Sequence, residues 1–216
     1  MSRYPVGRGL KIEVAKTMGA AKTVTAVTNA KPGVASSTAH GLADGTVGVF
    51  SNVVGMVELE GQACRVDAPA TDSFALDGLD TTKFSTFVSG DFTPATAWST
   101  LGHITQYTIS GADPEQSDQT VLLDNLRQIE VGILGAQTVN MTGFSAFTTE
   151  AMGVLQSAAR NGDSLLFRIK LKDGQERIFY GTPSLPGEEA QVGATLSGSF
   201  QVFVKGYALF LPAVAP

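Results

Sequence analysis

The stretch from residue 139 to residue 206 constrains the fold more than any other part of the chain, because it sets one helix inside a run of alternating strands. On both sides of the helix, apolar and polar residues alternate with the period of two that a half-buried strand requires. The same stretch carries no cluster of reactive side chains. The pattern therefore predicts a mainly β fold with one flanking helix, and it indicates a building block rather than a catalyst.

The helix has both of its ends marked in the sequence. Either Thr148 or Thr149 can cap the N-terminus, and Glu150 in the first turn faces the positive end of the helix dipole. Gly162, which follows Asn161, provides a left-handed stop. Between these ends, apolar residues recur at helical spacing and predict a buried stripe formed by Met152, Leu155 and Ala159, with Ala151 and Ala158 beside them.

The strands around the helix predict antiparallel pairing with one wet face. Residues 165–172 alternate up to the turn Asp173-Gly174, and residues 176–180 follow, which is the strongest hairpin signal in the chain. Further strands are predicted at residues 10–14, 103–110, 128–134, 137–142 and 199–205. The fold class that this order favours is an antiparallel β-sandwich or open barrel.

Residues 103–110 alternate in a way that assigns two faces. Ile104, Gln106 and Thr108 are predicted on one face, with Thr105, Tyr107 and Ile109 on the other. A polar stretch at residues 111–119 follows and predicts a long exposed loop.

Residues 22–91 differ in composition from the rest of the chain. They are rich in Thr, Ser, Gly, Asp and Val, and short β-prone runs alternate with turn dipeptides such as Asp44-Gly45 and Asp77-Gly78. The segment carries four basic and eight acidic residues, whereas the rest carries 11 and 12. We therefore predict a small all-β module at 22–91, inserted into a core domain made of residues 1–21 and 92–216 and displayed outward.

No known catalytic or metal-binding pattern occurs in the chain. The two histidines, His40 and His103, are far apart, and the lone Cys64 is interpreted as a core residue. The adjacent acids Glu188 and Glu189 are interpreted as a solvated loop, since neighbouring residues of an extended chain point opposite ways. We expect no enzymatic activity, no cofactor and no metal.

Charge and hydropathy narrow the possible partners and location. The net charge of −5 argues against a protein that grips nucleic acid through a basic face. Residues 1–17 lack the apolar run of a secretory signal, and no run is long enough to span a membrane. The apolar residues 207–216 are expected to pack on a neighbour or on the chain's own core. The basic stripe of Arg168, Lys170 and Lys172 is expected to pair with acids across the sheet, or else with a neighbouring subunit.

Two parts of the chain resemble known families. Residues 103–206 resemble the major tail tube proteins of long, non-contractile-tailed bacteriophages, through the helix TTEAMGVLQSAARNG and the hairpin LLFRIKLKDGQERIFYG. Residues 22–91 resemble small β modules of phage tail proteins that are related to the first catalytic cysteine half-domain of ubiquitin-activating enzymes. The motifs are AHGLADG at 39–45, GMVELEG at 55–61 and FALDG at 74–78.

The resemblance implies a structural virion protein that is assembled in the host cytoplasm. Its copies would form hexameric rings, and the rings would stack into a tail tube that conducts the genome at ejection. The implied partners are further copies of the chain, the tape measure protein, the tail terminator and tail tip or baseplate proteins, with double-stranded DNA passing through non-specifically.

The resemblance also implies roles for particular residues. The loop that follows residue 110 would reach an adjacent ring through Asp113, Pro114, Glu115 and Asp118. Polar residues would line the lumen so that DNA slides without sticking, and the candidates are Gln106, Thr108, Gln201 and Lys205.

Other roles stay open at this point. The chain could be another phage structural part, such as a tail terminator, a baseplate hub or a decoration protein. The module at 22–91 could alternatively bind a surface receptor or carbohydrate, but it offers only phenylalanines, Phe50, Phe74, Phe84 and Phe87, as an aromatic platform.

Overall fold

The computed structural model describes residues 9–111, 113–120, 126–144 and 149–213. Strands account for 52% of the described residues, and one large antiparallel sheet curls into a half-barrel, so the predicted mainly β class is confirmed. A 3-10 helix lies at Val57–Leu59 and the α-helix α1 at Glu150–Asn161. The strands are β1 (Lys11–Met18), β2 (Lys22–Val24), β3 (Ala26–Val27), β4 (Val34–Ser36), β5 (Val47–Val54), β6 (Ala63–Asp67), β7 (Ser73–Asp77), β8 (Ser89–Thr100), β9 (Ile104–Ile109), β10 (Pro114–Asp118), β11 (Ile129–Leu134), β12 (Thr138–Phe144), β13 (Leu165–Lys170), β14 (Glu176–Pro183), β15 (Gly187–Glu189) and β16 (Ser197–Leu211).

The large sheet has 14 strands and runs through the whole molecule. Its order is β3-β4-β7-β6-β5-β8-β1-β13-β14-β16-β12-β9, with β15 beside β16 and β2 beside β8. Strand β8 joins its two halves, because its first residues pair with β5 and its last residues pair with β1. Strands β10 and β11 form a separate two-stranded sheet.

The helix covers one face of the sheet, which we call the helix face. Val14, Phe167 and Phe179 lie opposite one another in the register of β1, β13 and β14, and they are fully buried beneath Leu155 of α1. The helix begins after Thr149 and ends before Gly162, whose φ of 75° is the left-handed stop that the sequence predicts. Glu150 forms an ion pair with Lys16 of β1 and ties the start of the helix to the sheet.

Residues 22–91 enclose most of a second hydrophobic cluster. Phe50, Phe74 and Phe92 form its centre, with ring centroids 5.2 Å apart in each neighbouring pair. The segment that we proposed as a module therefore has a core of its own, although Phe92 lies one residue beyond the predicted boundary.

The strands of this segment belong to one half of the curled sheet, and they also pack against the other half. The face that they cover there is opposite α1, and we call it the module face. Val47 of β5 and Ala63 of β6 share a third buried cluster with Leu166, Ile178 and Leu211. The central strands are thus enclosed between α1 on the helix face and residues 22–91 on the module face.

The end of the chain differs from the sequence prediction in the length of its last strand. Strand β16 extends beyond the predicted 199–205, and its residues Ala208 and Leu211 are buried in the chain's own core. Ala208 and Leu211 therefore pack on their own subunit, whereas Tyr207 and Phe210 stay exposed. Residues 214–216 lie outside the described part of the chain.

The prediction of a long loop at 111–119 is wrong, because residues 114–118 form β10. Pro114 is tolerated there since it is the first residue of a strand, where no ladder donor is required. Residues 115–118 are all polar, so β10 lacks the apolar alternation by which strands are recognised in a sequence, whereas β11 lies within the strand predicted at 128–134.

The face assignment of Ile104 is also wrong. A register shift between Thr142 and Gly143 interrupts the pairing of β9 with β12 at this point. Ile104 consequently packs against the same buried cluster as Tyr107 and Ile109, whereas Gln106 and Thr108 stay exposed on the other face.

Candidate assembly surfaces

A polar strip crosses three neighbouring strands on the module face, beyond the part that residues 22–91 cover. Thr108 of β9 lies opposite Asn140 of β12, which in turn lies opposite Gln201 of β16. The adjacent row consists of Gln106, Thr142 and Ser199. None of these six side chains is charged, and the structure brings together three of the four residues that we predicted as lumen-facing.

The fourth candidate, Lys205, lies apart from this strip. It is exposed opposite Tyr180 of β14, and its Nζ is 5.9 Å from the centroid of the Tyr180 ring. A Cβ placed on Gly61 would lie 3.1 Å from the Cβ of Lys205. Lys205 therefore borders residues 22–91, and the half-exposed Phe203 separates it from Gln201 along β16.

The β10–β11 hairpin contains the four candidate inter-ring residues. Asp113 precedes β10 and accepts a hydrogen bond on its backbone oxygen from the Gly135 N–H at 2.9 Å. Pro114 and Asp118 begin and end β10, and Glu115 lies between them. Among the described residues these two strands pair only with each other, and Ile129 and Val131 of β11 are 46% and 62% exposed.

Asp118 organises the turn of the hairpin. Its carboxylate accepts hydrogen bonds from the Thr120 hydroxyl and backbone N–H, and from Nε of Arg127 at 2.9 Å. These bonds, with the Thr120 hydroxyl contributing most, hold the pKa of Asp118 below its ordinary value. These local contacts hold the described ends of the two strands together, and no other described element makes extensive contact with the hairpin.

Strand β9 forms a free edge of the large sheet. It pairs with β12 on one side, and no described strand lies on its other side. The backbone N–H and C=O groups on that side are available to a partner strand. The opposite end of the sheet is the two-residue strand β3, which is too short to offer a comparable edge.

The basic stripe on β13 is mostly neutralised within the subunit. Arg168 lies 2.9 Å from the Glu13 carboxylate and stacks over the ring of Trp98 at 4.1 Å, while Nζ of Lys170 lies 3.6 Å from Glu176. The predicted cross-strand pairing is confirmed for these two residues. Lys172 has no ion-pair partner among the described residues.

Residues 22–91 are joined to the sheet by the fully buried side chain of Gln62. Its amide donates to the backbone oxygen of Tyr207 at 3.0 Å, and its Oε1 accepts from the Tyr207 N–H at 2.9 Å. Tyr207 is available for these bonds because β16 bulges between its pairing with Ile178 and its pairing with Tyr180. A single glutamine carries no pattern, so sequence reasoning missed it.

Arg65 completes this joint with an ion network. The guanidinium, which is 2% exposed, donates to Asp77 within the segment and to Glu176 of β14 at 3.1 Å. It also donates to the backbone oxygen of Pro212 at 2.9 Å. We call Gln62, Arg65 and their partners the joint.

The remaining candidate chemistry is structural. Burial raises the pKa of the Cys64 thiol far above its ordinary value, so this residue does not form a thiolate readily. His40 is 2% exposed, with Nδ1 bound to the Leu42 N–H and Nε2 near the Ser73 carbonyl oxygen. The acids Glu188 and Glu189 lie exposed on the short strand β15.

Within the residues that the structure describes, no group of three or more His, Cys, Asp or Glu side chains is arranged to hold a metal ion. No helix within those residues has the length and apolarity needed to cross a membrane.

Comparison with known proteins identifies the family. A family model described as phage tail tube protein, TTP, matches residues 54–194, which is about two thirds of the chain. No curated protein matches the chain. The match begins inside the segment 22–91, and its bounds enclose β6, β7, β8 and the strands around α1.

Proposed function

Because the chain belongs to the phage tail tube protein family, we propose that its copies assemble into six-membered rings that stack into a conduit for the genome. Family membership makes the chain a structural component of the virion tail, indicates self-assembly into a tube, and suggests that it is not an enzyme. Ring number, stacking and genome passage are the parts that we propose.

The free edge of β9 is the observation that carries the proposal. An open sheet edge exposes a row of unpaired backbone groups, and pairing with another copy removes it. In a ring, β9 of each subunit pairs with the sheet of the next, so that the half-barrels join into one closed wall. The number of six subunits in a ring comes from the resemblance to the major tail tube proteins.

The β10–β11 hairpin supports contact beyond a single ring. An isolated two-stranded hairpin is marginally stable in water, and this one exposes Ile129 and Val131 with nothing described against them. We propose that the hairpin reaches a subunit of the adjacent ring, with Asp113 just before its first strand and Pro114, Glu115 and Asp118 along it.

Stacking of this kind sets no length by itself. Head-to-tail contacts between rings grow as an open polymer, so the end point must come from other proteins. We propose the tape measure protein inside the tube, the tail terminator at one end and the tail tip or baseplate at the other, with assembly in the host cytoplasm.

We propose that the polar strip lines the lumen. Gln106, Thr108 and Gln201 lie with three other uncharged side chains on one surface, and a surface without cations does not neutralise the DNA phosphates that would otherwise hold the duplex. Lys205 is the weaker candidate, because it borders residues 22–91 instead of lying in the strip.

A receptor-binding role for residues 22–91 is less well supported than an assembly role. Of the four phenylalanines available as a platform, Phe50, Phe74 and Phe87 are buried and Phe84 packs against the same core. Sugar-binding platforms require aromatic faces in contact with solvent, and the described part of the segment offers none fully exposed.

Negative-stain electron microscopy of the concentrated protein tests the proposal and separates it from its rivals. Long tubes whose end views average to six-fold symmetry are expected. Single rings that never stack would instead favour a tail terminator, and monomers at every concentration would refute self-assembly.

A further inference from the structure

We propose that residues 22–91 are an integral brace of the tail tube sheet, docked through a socket in β16, and not a separately folding attachment displayed outward. The inference concerns the single subunit and does not depend on how rings form. It rests on the backbone of β16, on the side chains that enter it and on the extent of the family match.

The socket is a bulge in β16 that leaves backbone groups without strand partners. Strand β14 pairs with Lys205 through Tyr180 and with Leu209 through Ile178, so four steps along β16 face two along β14. Gly206 takes up the excess with a φ of 68°, a conformation that glycine adopts without strain. The N–H and C=O of Tyr207 are thereby turned away from β14.

The side chain of Gln62 takes the place of a strand residue at this bulge. Its carboxamide presents one acceptor and one donor to Tyr207, in the pattern of a neighbouring peptide group. The next N–H, that of Ala208, is bound at 2.9 Å by Oε1 of Gln137, which precedes β12. Two glutamines from different parts of the chain therefore satisfy successive amides of the bulge.

Burial makes these bonds necessary to the fold. Gln62 is fully buried, so loss of its amide leaves the backbone polar groups of Tyr207 unpaired and shielded from water. Beside them, Arg65 links Asp77 to Glu176, and Val47 and Ala63 cover Ile178 and Leu211. The interface thus combines buried apolar contacts, an ion network and a bulge that is completed from the other side.

The family match gives an independent reason for this assignment. It starts at residue 54, and so it includes Gln62, Arg65 and Asp77, which form the docking half of the segment. A match whose first residue lies within 22–91 does not follow the boundaries that an insertion at those residues would have. The half of the segment that docks is therefore part of what the family shares.

Hydrogen exchange on the intact wild-type subunit provides the first test. If residues 22–91 brace the sheet, the amides of β6 and those of Tyr207–Leu211 should become accessible through the same cooperative opening, with equal protection across denaturant concentrations. Opening of β6 at markedly lower denaturant, with β14 and β16 still protected, would overturn the proposal. This test needs no variant and gives a decisive result either way.

The variant Gln62→Leu, with Gln119→Leu as its matched control, provides the second test. Gln119 is exposed beside the β10–β11 turn, and its side chain is bonded only to Glu130 among the described residues. Gln62→Leu is expected to lower the single melting transition by about 3–10 °C and to speed exchange at Tyr207 and Ala208. A change restricted to residues 22–91, with β16 exchanging as in the wild type, would contradict the proposal.

Discussion

The joint and the β10–β11 hairpin differ in whether their side chains find partners within the subunit. At the joint, the polar groups of Gln62 and Arg65 have partners within the subunit and the surrounding apolar side chains are buried. On the hairpin, Ile129 and Val131 are exposed, and the strands pair only with each other among the described residues. The joint, whose groups are paired or buried, stabilises the folded subunit. The hairpin, whose apolar side chains are exposed, is available for contact with another subunit.

The largest expected effect on stability is at the joint, from Arg65→Met. Removing the guanidinium leaves the buried Glu176 and the partly buried Asp77 carboxylates without it, and breaking a buried ion pair typically costs about 3–5 kcal/mol. The free energy of unfolding from urea titration should fall by this amount. The matched control Arg127→Met changes an exposed arginine of the hairpin and should leave that free energy unaltered within error. An equal loss of unfolding free energy in both variants would contradict the expected difference in stability between the joint and the hairpin.

Replacing residues 113–135 with a short Gly-Ser linker should have the opposite outcome. Because the hairpin contributes no described contact to the buried clusters, the melting temperature of the subunit should stay within a few degrees of the wild type. Tubes should be lost, or should fall apart into rings, when viewed by electron microscopy. Tubes of normal length and stability would rule out the hairpin as an inter-ring contact.

A labelling experiment sharpens the assignment of the polar strip. Thr108→Cys should react with a bulky maleimide in the monomer and be protected in assembled tubes, since the reagent would have to enter through the tube ends. Lys83→Cys, on an exposed turn of residues 22–91, should react in both states. The native Cys64 is buried and gives little background. Equal labelling of Thr108→Cys in both states would remove it from the lumen.

The smallest expected effect is the response of the hairpin turn to pH. The folded-state pKa of Asp118 is depressed by the Thr120 hydroxyl and N–H and by Arg127. Its contribution is therefore present above the ordinary carboxyl pKa of about 3.9 and is lost as the pH falls through the lower folded value. The amide resonances of Thr120 and Gln128 should shift in that acidic range, while those of Tyr207 at the joint stay constant. An unchanged Thr120 resonance would contradict the turn geometry.

The elements that could be predicted from the sequence are those whose signals are local. The helix was located because Thr149, Leu155 and Gly162 each act within a turn or two of their own position. The hairpin of β13 and β14 was located because apolar alternation and the Asp173-Gly174 turn agree. The same locality explains the failure at β10, where exposure on both faces removes the alternation that marks a strand.

The joint could not be predicted, because it is formed by contacts between residues that are far apart in the sequence. Gln62 and Tyr207 are 145 positions apart, and Arg65 and Glu176 are 111 apart. A bulge in β16 gives Gln62 its role, and nothing in the residues around position 62 specifies that bulge. The polar strip was found only in part for a similar reason: Asn140, Thr142 and Ser199 become neighbours of the predicted residues through the register of β9, β12 and β16.

Hydrogen exchange of β9 in the free subunit and in assembled particles tests the central claim most directly. The amides of Ile104–Ile109 that do not bond to β12 should exchange rapidly in the monomer and become protected on assembly, while protection at the joint stays the same in both states. Free exchange of those amides in fully formed tubes would show that subunits do not join through this edge, and it would contradict the account.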